Sequence, residues 1–462
     1  MTGEQRFEGS RALDQHRWRH LGKLGPVKPI AGWRAFRPDG FGGVNGGHRT
    51  QSPYWENILQ YAPQTRNRIR LPHDKKGQIF YYLACNRPEA SPMTDDSKLM
   101  PLFDPLKIGN LHLPHRIAMA PMTRFRCNED GIPAPYVSEY YAQRSSAALI
   151  VCESVYTIPS GRIAPLAGGL ITEPQRTAWA AVASAVHAKG GRIFLQLIHG
   201  GRVSHPLLQP GGVQPIAPSA VLADDKVRLA QGFVAPVVPR AMEISEIHEV
   251  IESFAVATRH AAEAGFDGVE LHAGNGYLPC QFLSSNTNLR QDDYGGTLTN
   301  RLRFVMETLE AMCAVRSPDF VGVKISPGFR YHDARDEAPE ETYTELAKAL
   351  GKMDLAYTHI QIPLDFIQPE GAAFDPVALV RNHYRGVLLA GGNLDRRSAA
   401  HMIATGAADV AVFGRRFIAN PDLPERFRLG AGETELDPDT LHVPGHKGYI
   451  DYPTLRVAGE PH

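Results

Sequence analysis

Short apolar runs alternate with amphipathic segments along most of this chain, starting near residue 100. Segments 116–120, 148–152 and 192–198 are apolar and only a few residues long, which is typical of buried β-strands. Segment 174–188 has helical spacing, with Thr172 available as its N-cap and glycine soon after its end. An apolar strand, a helix and another apolar strand in succession predict a parallel β-sheet covered by helices.

The same unit recurs through the rest of the chain. A helix that begins after Ser245 and ends at Gly265 would bury a single face. That face is formed by Ile247, Val250, Ile251, Phe254 and Ala261. Further strands are predicted at 268–272, 321–326, 357–362, 387–390 and 409–413, and further helices near 340–350, 376–382, 396–405 and 421–429.

Eight such strands, with helices between them, are typical of an α/β protein that closes into a (β/α)8 or TIM barrel. An open, doubly wound sheet is the alternative fold. Because no Gly-x-Gly-x-x-Gly sequence follows the first predicted strand, the TIM barrel is the favoured fold.

The first 92 residues show neither the helical nor the strand period, and Gly, Pro, Arg and Asn are frequent there. They hold 15 Lys and Arg against 7 Asp and Glu, and the whole chain is neutral, so the remainder carries a net charge of −8. An acidic body gives no reason to expect nucleic-acid binding, although a basic arm for RNA or an acidic partner is conceivable. We expect 1–92 to be an unstructured or non-native extension, Met93 to be the natural start, and 93–462 to be one folded domain.

Composition narrows the cellular setting. No apolar run approaches the ~18 residues of a membrane span, and the N-terminus lacks the apolar core of a signal peptide. The five cysteines are scattered without a Cys-x-x-Cys pair, which argues against a disulfide framework, a metal site or an iron–sulfur cluster. We therefore expect a cytoplasmic protein with no membrane association.

Polar side chains lie on the predicted strands or directly after them, toward the ends where a TIM barrel carries its active site. They are Thr123, Gln196, His272, Asn275, Tyr277, Lys324, Asn393 and Arg415. On spacing alone, His272 and Asn275 could equally be loop-capping residues, Tyr277 a wall residue and Thr123 a turn residue.

Longer motifs at these places resemble the Old Yellow Enzyme family, and within it the bacterial alkene reductases. The resemblance extends from about residue 102 to 454 and leaves 1–92 without a counterpart. The motifs are LFDPLKIGNL at 102–111, APMTR at 120–124, HAGNGYL at 272–278, DYGG at 293–296, GRRFIANPDL at 414–423 and GYIDYPT at 448–454.

The resemblance implies an FMN-dependent ene-reductase, with FMN bound by the barrel domain. NADPH or NADH would supply hydride, which flavin N5 would pass to the C=C bond of an electron-poor alkene such as an enone, maleimide or nitroalkene. His272 and Asn275 would hold the activating oxygen, and Tyr277 would protonate the opposite face as a general acid. The partner is a small molecule, and the protein is expected to be a monomer or a small homo-oligomer.

The resemblance also implies the cofactor contacts. Thr123 would bind the flavin carbonyl at C4, Gln196 the pyrimidine edge, and Lys324 would lie near N1, where the family often has Arg. The phosphate would lie at the loops after strands 7 and 8. The implied cofactor-binding set is Pro121, Thr123, Ser154, Gln196, Lys324, Gly392, Asn393, Gly414 and Arg415.

Two residues are expected in the substrate pocket. Tyr449 would form one wall, and Ile198 stands where many relatives have Trp. Two other interpretations remain. A longer iron–sulfur flavoenzyme of the dienoyl-CoA reductase type is disfavoured by the missing cysteine cluster. A flavin-binding sensor is disfavoured by the complete set of His272, Asn275 and Tyr277.

Overall fold

The structure, a computed structural model, describes residues 96–230, 232–363 and 374–455. The extension expected over 1–92 lies outside these ranges. In the described part of the chain, no helix is both long enough and apolar enough to cross a membrane.

Eight parallel strands form a closed barrel. In sequence order each strand pairs with the next, and β1 also pairs with β8, which closes the sheet. The TIM barrel is therefore confirmed and the open sheet is excluded. The strands are β1 Ile117–Met119, β2 Leu149–Tyr156, β3 Ile193–Ile198, β4 Gly268–His272, β5 Val321–Ile325, β6 Tyr357–Gln361, β7 Leu388–Gly391 and β8 Val410–Phe413.

Ten helices in the described ranges accompany the strands. They are α1 Tyr136–Ala142, α2 Glu173–His187, α3 Ile244–Glu263, α4 Leu278–Leu283, α5 Leu298–Val315, α6 Pro339–Leu350, α7 Pro376–His383, α8 Arg396–Ala404, α9 Arg415–Ala419 and α10 Leu423–Leu429. Thr172 caps α2, since its side chain accepts from the Gln175 N–H while Gln175 accepts from the Thr172 N–H. The predicted face of α3 is buried throughout.

The second strand differs most from its prediction. It continues to Tyr156 instead of ending at residue 152, and all eight of its residues are buried, although Glu153 and Ser154 interrupt the apolar run. Its pairing with β3 shifts register between Cys152 and Ser154, which marks a β-bulge at Glu153. A bulge turns the following side chains relative to the strand. Ser154 then pairs with Gln196 of β3 and faces the same cavity.

Apolar side chains fill the lower part of the barrel. The antiparallel pair Leu106–Ile108 and Leu111–Leu113 contributes Ile108 and Leu113 to a buried cluster that also holds Phe194, Tyr357 and Leu389. This packing closes the end at which the strands begin. Polar groups and cavities are consequently found at the C-terminal ends of the strands.

Candidate active site

A cavity of about 540 Å³ opens at the C-terminal ends of the strands. Among the residues that line it are eight of the predicted site residues. They are Pro121, Thr123, Ser154, Gln196, His272, Asn275, Tyr277 and Lys324. A cavity of about 630 Å³ borders the loop after β5 and is lined by none of the predicted site residues.

His272 is held as a neutral hydrogen-bond donor. Burial, with the neighbouring charges of Lys324, His359 and His332, lowers its pKa well below the ordinary value. Its Nδ1 accepts the Gly274 N–H at 3.4 Å, so the ring proton resides on Nε2. The imidazole can therefore donate one hydrogen bond from Nε2 without carrying a charge.

Asn275 lies in a turn with left-handed backbone conformation. Its φ is +54°, and its N–H donates to the Ser326 hydroxyl at 2.7 Å. Gly276 follows with φ +72°, where a Cβ would collide with the Tyr331 carbonyl. The turn thus requires glycine at 276 and presents Asn275 at the same cavity as His272.

Tyr277 is the N-cap residue of the short helix α4 and lies beside His272. The two ring centroids are 4.9 Å apart in an edge-to-face arrangement. Burial raises the pKa of Tyr277 above its ordinary value, so the phenol stays protonated across the physiological range. The Tyr277 ring also packs against that of His332, with the two ring centroids 5.4 Å apart. His332 Nδ1 in turn pairs with Asp225 Oδ2 at 2.5 Å.

A pair of hydroxyl groups, from Thr123 and Ser154, also lines the 540 Å³ cavity. Thr123 Oγ1 and Ser154 Oγ are 2.9 Å apart, and either one can donate. Whichever hydroxyl accepts within the pair keeps its own proton for another acceptor. The pair can therefore offer one donor to a carbonyl oxygen in the cavity.

Two buried groups that sequence reasoning missed, Glu270 and His359, lie next to residues of the cavity floor. Gln196 Nε2 donates to Glu270 Oε1 at 2.6 Å, and His359 Nδ1 lies 2.9 Å from Glu270 Oε2. Burial lowers the pKa of Lys324, and the Glu270 carboxylate opposes that decrease. A signal was present, because Glu270 is two residues before His272 on one strand and thus shares its face.

A smaller cavity of about 240 Å³, called the second cavity below, lies at the ends of β7 and β8. It shares Pro121, Lys324 and Gln361 with the 540 Å³ cavity, which is called the first cavity. Glycines form part of the wall of the second cavity. Gly392 has φ +155°, and a Cβ there would lie 2.5 Å from the Ile362 carbonyl oxygen. Asn393, with φ +43°, and Gly414 also line it.

The two arginines after β8 differ in their partners. Arg416 donates to the Leu394 carbonyl and pairs with Glu433. Both arginines line the second cavity, but Arg415 is exposed, and within the described ranges it has neither a hydrogen bond nor an ion pair. Arg415 is thus the one of the two that is available to an anion in this cavity.

Tyr449 and Ile198 line neither the 540 Å³ cavity nor the 240 Å³ cavity. Tyr449 is fully buried, stacks on Tyr140 with ring centroids 3.9 Å apart, and lies beneath the guanidinium groups of Arg124 and Arg126. Ile198 is also buried, at 1 % exposure. The outer wall of the first cavity is instead lined by Phe125, Arg228, Phe233, Tyr331 and His442.

Comparisons with known proteins agree with this geometry. Residues 101–433 match the model of the NADH:flavin oxidoreductase / NADH oxidase family. 12-Oxophytodienoate reductase 7 of Oryza sativa subsp. japonica is 38 % identical over 79 % of this chain and 96 % of its own. Morphinone reductase in complex with tetrahydroNAD is 42 % identical, with a TM-score of 0.74 over 78 % of this chain and 99 % of its own. The Old Yellow Enzyme homologue from Zymomonas mobilis is 36 % identical, with a TM-score of 0.74 over 77 % and 99 %.

A TIM barrel with polar groups around a cavity at the C-terminal strand ends is typical of a barrel enzyme with its active site there. The chain belongs to the Old Yellow Enzyme family and is an FMN-dependent oxidoreductase. The available groups fit FMN, since an amide, a cation and a hydroxyl pair line one cavity. The second cavity combines a glycine wall that a Cβ would disrupt with Arg415, which has no partner among the described residues.

Proposed function

We propose that this protein is an ene-reductase that takes hydride from NADPH or NADH and reduces the C=C bond of electron-poor alkenes. FMN, when bound, supplies the hydride-transfer chemistry. The observation that carries the proposal is that His272, Asn275 and Tyr277 line one cavity with Gln196 and Lys324. One loop would thus act on the substrate while the strands beneath it bind the cofactor.

In this proposal His272 and Asn275 bind the carbonyl or nitro oxygen of the alkene. Both are neutral donors, so they stabilise negative charge that develops on that oxygen without forming a permanent ion pair. Donors aimed at a developing oxyanion contribute about 10²–10³-fold each in comparable enzymes. Morphinone reductase and the 12-oxophytodienoate reductases bear names of enones, which supports this substrate class.

Tyr277 supplies the proton in this proposal. Its phenol remains protonated because burial raises its pKa, and its ring borders that of His272. When the activating oxygen of the alkene contacts His272 and Asn275, the adjacent C=C bond would lie close to Tyr277. The phenol would then be within reach of the carbon that takes the proton. The proton would go to the face opposite the hydride.

The cofactor contacts complete the proposal. The Thr123 and Ser154 pair would donate to the flavin carbonyl at C4, and Gln196 and Lys324 would contact the pyrimidine ring. Gly392, Asn393, Gly414 and Arg415 would bind the phosphate. These assignments leave the first cavity between the flavin and Tyr277 for the alkene.

An anaerobic experiment tests the function. The purified yellow protein is reduced with NADPH or NADH, and enones, maleimides and nitroalkenes are then added while the flavin absorbance is followed. We expect bleaching by at least one nicotinamide and reoxidation by several of the alkenes. A flavin that bleaches but is reoxidised by none of them would contradict the proposal and favour a sensor.

A further inference from the structure

A buried carboxylate lies under the cavity floor, where it is hydrogen-bonded to groups from two other strands and acts electrostatically on a third. Glu270 of β4 is 0 % exposed. It accepts from Gln196 of β3 and from His359 of β6, and its charge acts on Lys324 of β5. None of the roles assigned above uses this carboxylate. A buried carboxylate is costly unless charges and hydrogen bonds compensate it, so its contacts require an explanation.

The contact with Gln196 determines which end of that amide faces the cavity. A carboxylate can only accept, so the Gln196 group 2.6 Å from Glu270 must be the NH₂ group. Its carbonyl oxygen is then the end left for a ligand. An amide orientation chosen by a charged partner is more rigid than one chosen by solvent.

Lys324 is diagonal to Glu270 across the β4–β5 pair. Its direct register partners are His272 on β4 and His359 on β6, and Glu270 is two residues from His272. Diagonal side chains lie within reach of long residues. Lys324 is 4 % exposed and lines both cavities, so its ammonium group needs a negative partner to remain charged.

The other titratable groups near this pair do not replace Glu270. His272 and His359 face Lys324, but a histidine side chain is either neutral or positively charged, so neither can supply the negative partner. Tyr357 is close to Glu270, and burial together with that carboxylate raises its pKa well above the ordinary value. Glu270 is the carboxylate that raises the pKa of Lys324.

We infer that Glu270 is a positioning residue that keeps Lys324 charged and turns the carbonyl oxygen of Gln196 toward the cavity. The floor then offers a fixed acceptor and a fixed cation to the pyrimidine end of the flavin. This inference rests on the proposed contact of Gln196 and Lys324 with that end. Both groups are prepared before any cofactor binds, because Glu270 belongs to the barrel itself.

The inference has a consequence for proton uptake. A flavin that takes up two electrons and one proton becomes an anion. If Lys324 is already an ammonium, no further proton is needed. Without the Glu270 charge, buried Lys324 loses its proton while the flavin is oxidised. The anion formed on reduction then restores a negative partner, and one solvent proton binds Lys324 Nζ. Proton uptake thus rises from one to two per two electrons.

Redox titration of the FMN-loaded protein from pH 6 to 9 tests this. We expect the slope of midpoint potential against pH to report one proton per two electrons in the unmodified protein. In Glu270→Gln the slope should double. The variant is isosteric and removes the charge. Its amide oxygen can still accept from Gln196, and its NH₂ group can donate to His359 Nδ1 once the ring proton of His359 lies on Nε2. Two protons in the unmodified protein, or one in Glu270→Gln, would overturn the inference.

A double variant identifies the group that takes the proton. Arginine stays charged without a partner, so E270Q/K324R should return to one proton per two electrons. A second proton that persists there would belong to His359 and would contradict the role of Lys324. If Glu270→Gln does not fold, the unmodified protein and Lys324→Met still decide the matter. Both should take up one proton, with a lower midpoint potential in Lys324→Met because the cation is gone. An unchanged potential there would remove Lys324 from the flavin.

None of these measurements uses an alkene. If the redox results are as expected but no alkene reoxidises the flavin, the proposed substrate class fails and the role of Glu270 stands. If alkenes are reduced normally while Glu270→Gln takes up the same number of protons as the unmodified protein, the proposed function stands and the role of Glu270 fails.

Discussion

At the residue scale, the proposed site assigns different steps to neighbouring side chains. Tyr277 would act only when the alkene is protonated, since reduction of FMN by a nicotinamide requires no proton from it. Tyr277→Phe should therefore keep a near-normal reductive half-reaction. Reoxidation by cyclohexenone should slow by the ~10²–10⁴-fold typical of general acid catalysis. Nitroalkenes should be less affected, because their nitronate anion is stable without immediate protonation.

Stopped-flow absorbance of both half-reactions measures these rates separately. The edge-to-face packing on His272 is available to phenylalanine too, so the ring should keep its place in the variant. Equal slowing of both half-reactions, or of neither, would contradict the acid role.

His272→Ala should behave differently, because it removes a donor to the activating oxygen. Alkene binding and hydride transfer should both weaken, with a loss of about 10²–10³-fold in the oxidative half-reaction. Nitroalkenes should lose as much as enones, unlike in Tyr277→Phe. His272→Gln, which keeps an N–H donor, serves as the control and should recover part of the rate. A His272→Ala protein with normal affinity and rate would exclude this role.

The buried carboxyl group of Glu153 gives stability a pH dependence. Burial raises the pKa of Glu153 from 4.5 to about 7, although it accepts from the Arg124 N–H and the Tyr141 hydroxyl. A raised carboxyl pKa means that the folded state prefers the protonated form. Its stabilisation is complete below pH 4.5 and is lost as pH rises to 7, by about 3 kcal/mol.

Glu153→Gln should remove this dependence. Relative to the unmodified protein, its Tm should rise by about 4 °C between pH 4.5 and pH 8, for a folded domain of this size. Thermal unfolding of both proteins at several pH values provides the comparison. Parallel Tm curves would show that Glu153 does not titrate in this range.

At the element scale, the sequence predicted the strands better than the helices. Apolar runs with two buried faces are unambiguous, and seven of the eight strands lie within two residues of their predicted ends. The helix α5 was not assigned. The short helices α1, α4 and α9 were also missed, because five to seven residues carry no sustained helical period.

The site was predicted in a similar way. Most of the predicted site residues line one cavity in the structure, because the motifs that contain them lie at the ends of barrel strands. Glu270 and His359 were overlooked since their role depends on pairing between strands, which spacing along the chain does not reveal. Tyr449 was expected at a cavity wall, but its burial depends on contacts with Tyr140, more than 300 residues away.

The loop after β8 provides the test at this scale. If Arg415 binds the phosphate, Arg415→Ala should weaken FMN affinity by roughly 10–100-fold, the range expected for a charge-assisted hydrogen bond. Arg416→Ala removes the same charge one residue away. It should instead loosen the contacts with Glu433 and the Leu394 carbonyl, with little effect on FMN. FMN titration into each apoprotein measures both affinities, and equal affinities in the two variants would remove Arg415 from the phosphate site.

At the scale of the whole molecule, family-like sequence occupies only part of the chain. Residues 101–433 match the family model, and morphinone reductase covers 78 % of this chain with 99 % of its own length. The family model begins at residue 101, so residues 1–92 lie outside the matched range. Those residues also carry the positive charge that balances the acidic remainder. Barrel and extension are therefore predicted to be separable.

A protein that begins at Met93 should keep the FMN content, the Tm and the alkene-reductase rate of the full chain. A protein that begins at Leu106 is the control. It lacks the segment Asp96–Phe103, in which Leu99 and Leu102 are buried, and the Leu102 carbonyl that accepts from the Arg116 N–H at the start of β1. Two buried leucines contribute about 3–6 kcal/mol, so this shorter protein should unfold at lower temperature and lose FMN. If the protein beginning at Met93 loses flavin or aggregates as the shorter one does, residues 1–92 are part of the folded enzyme.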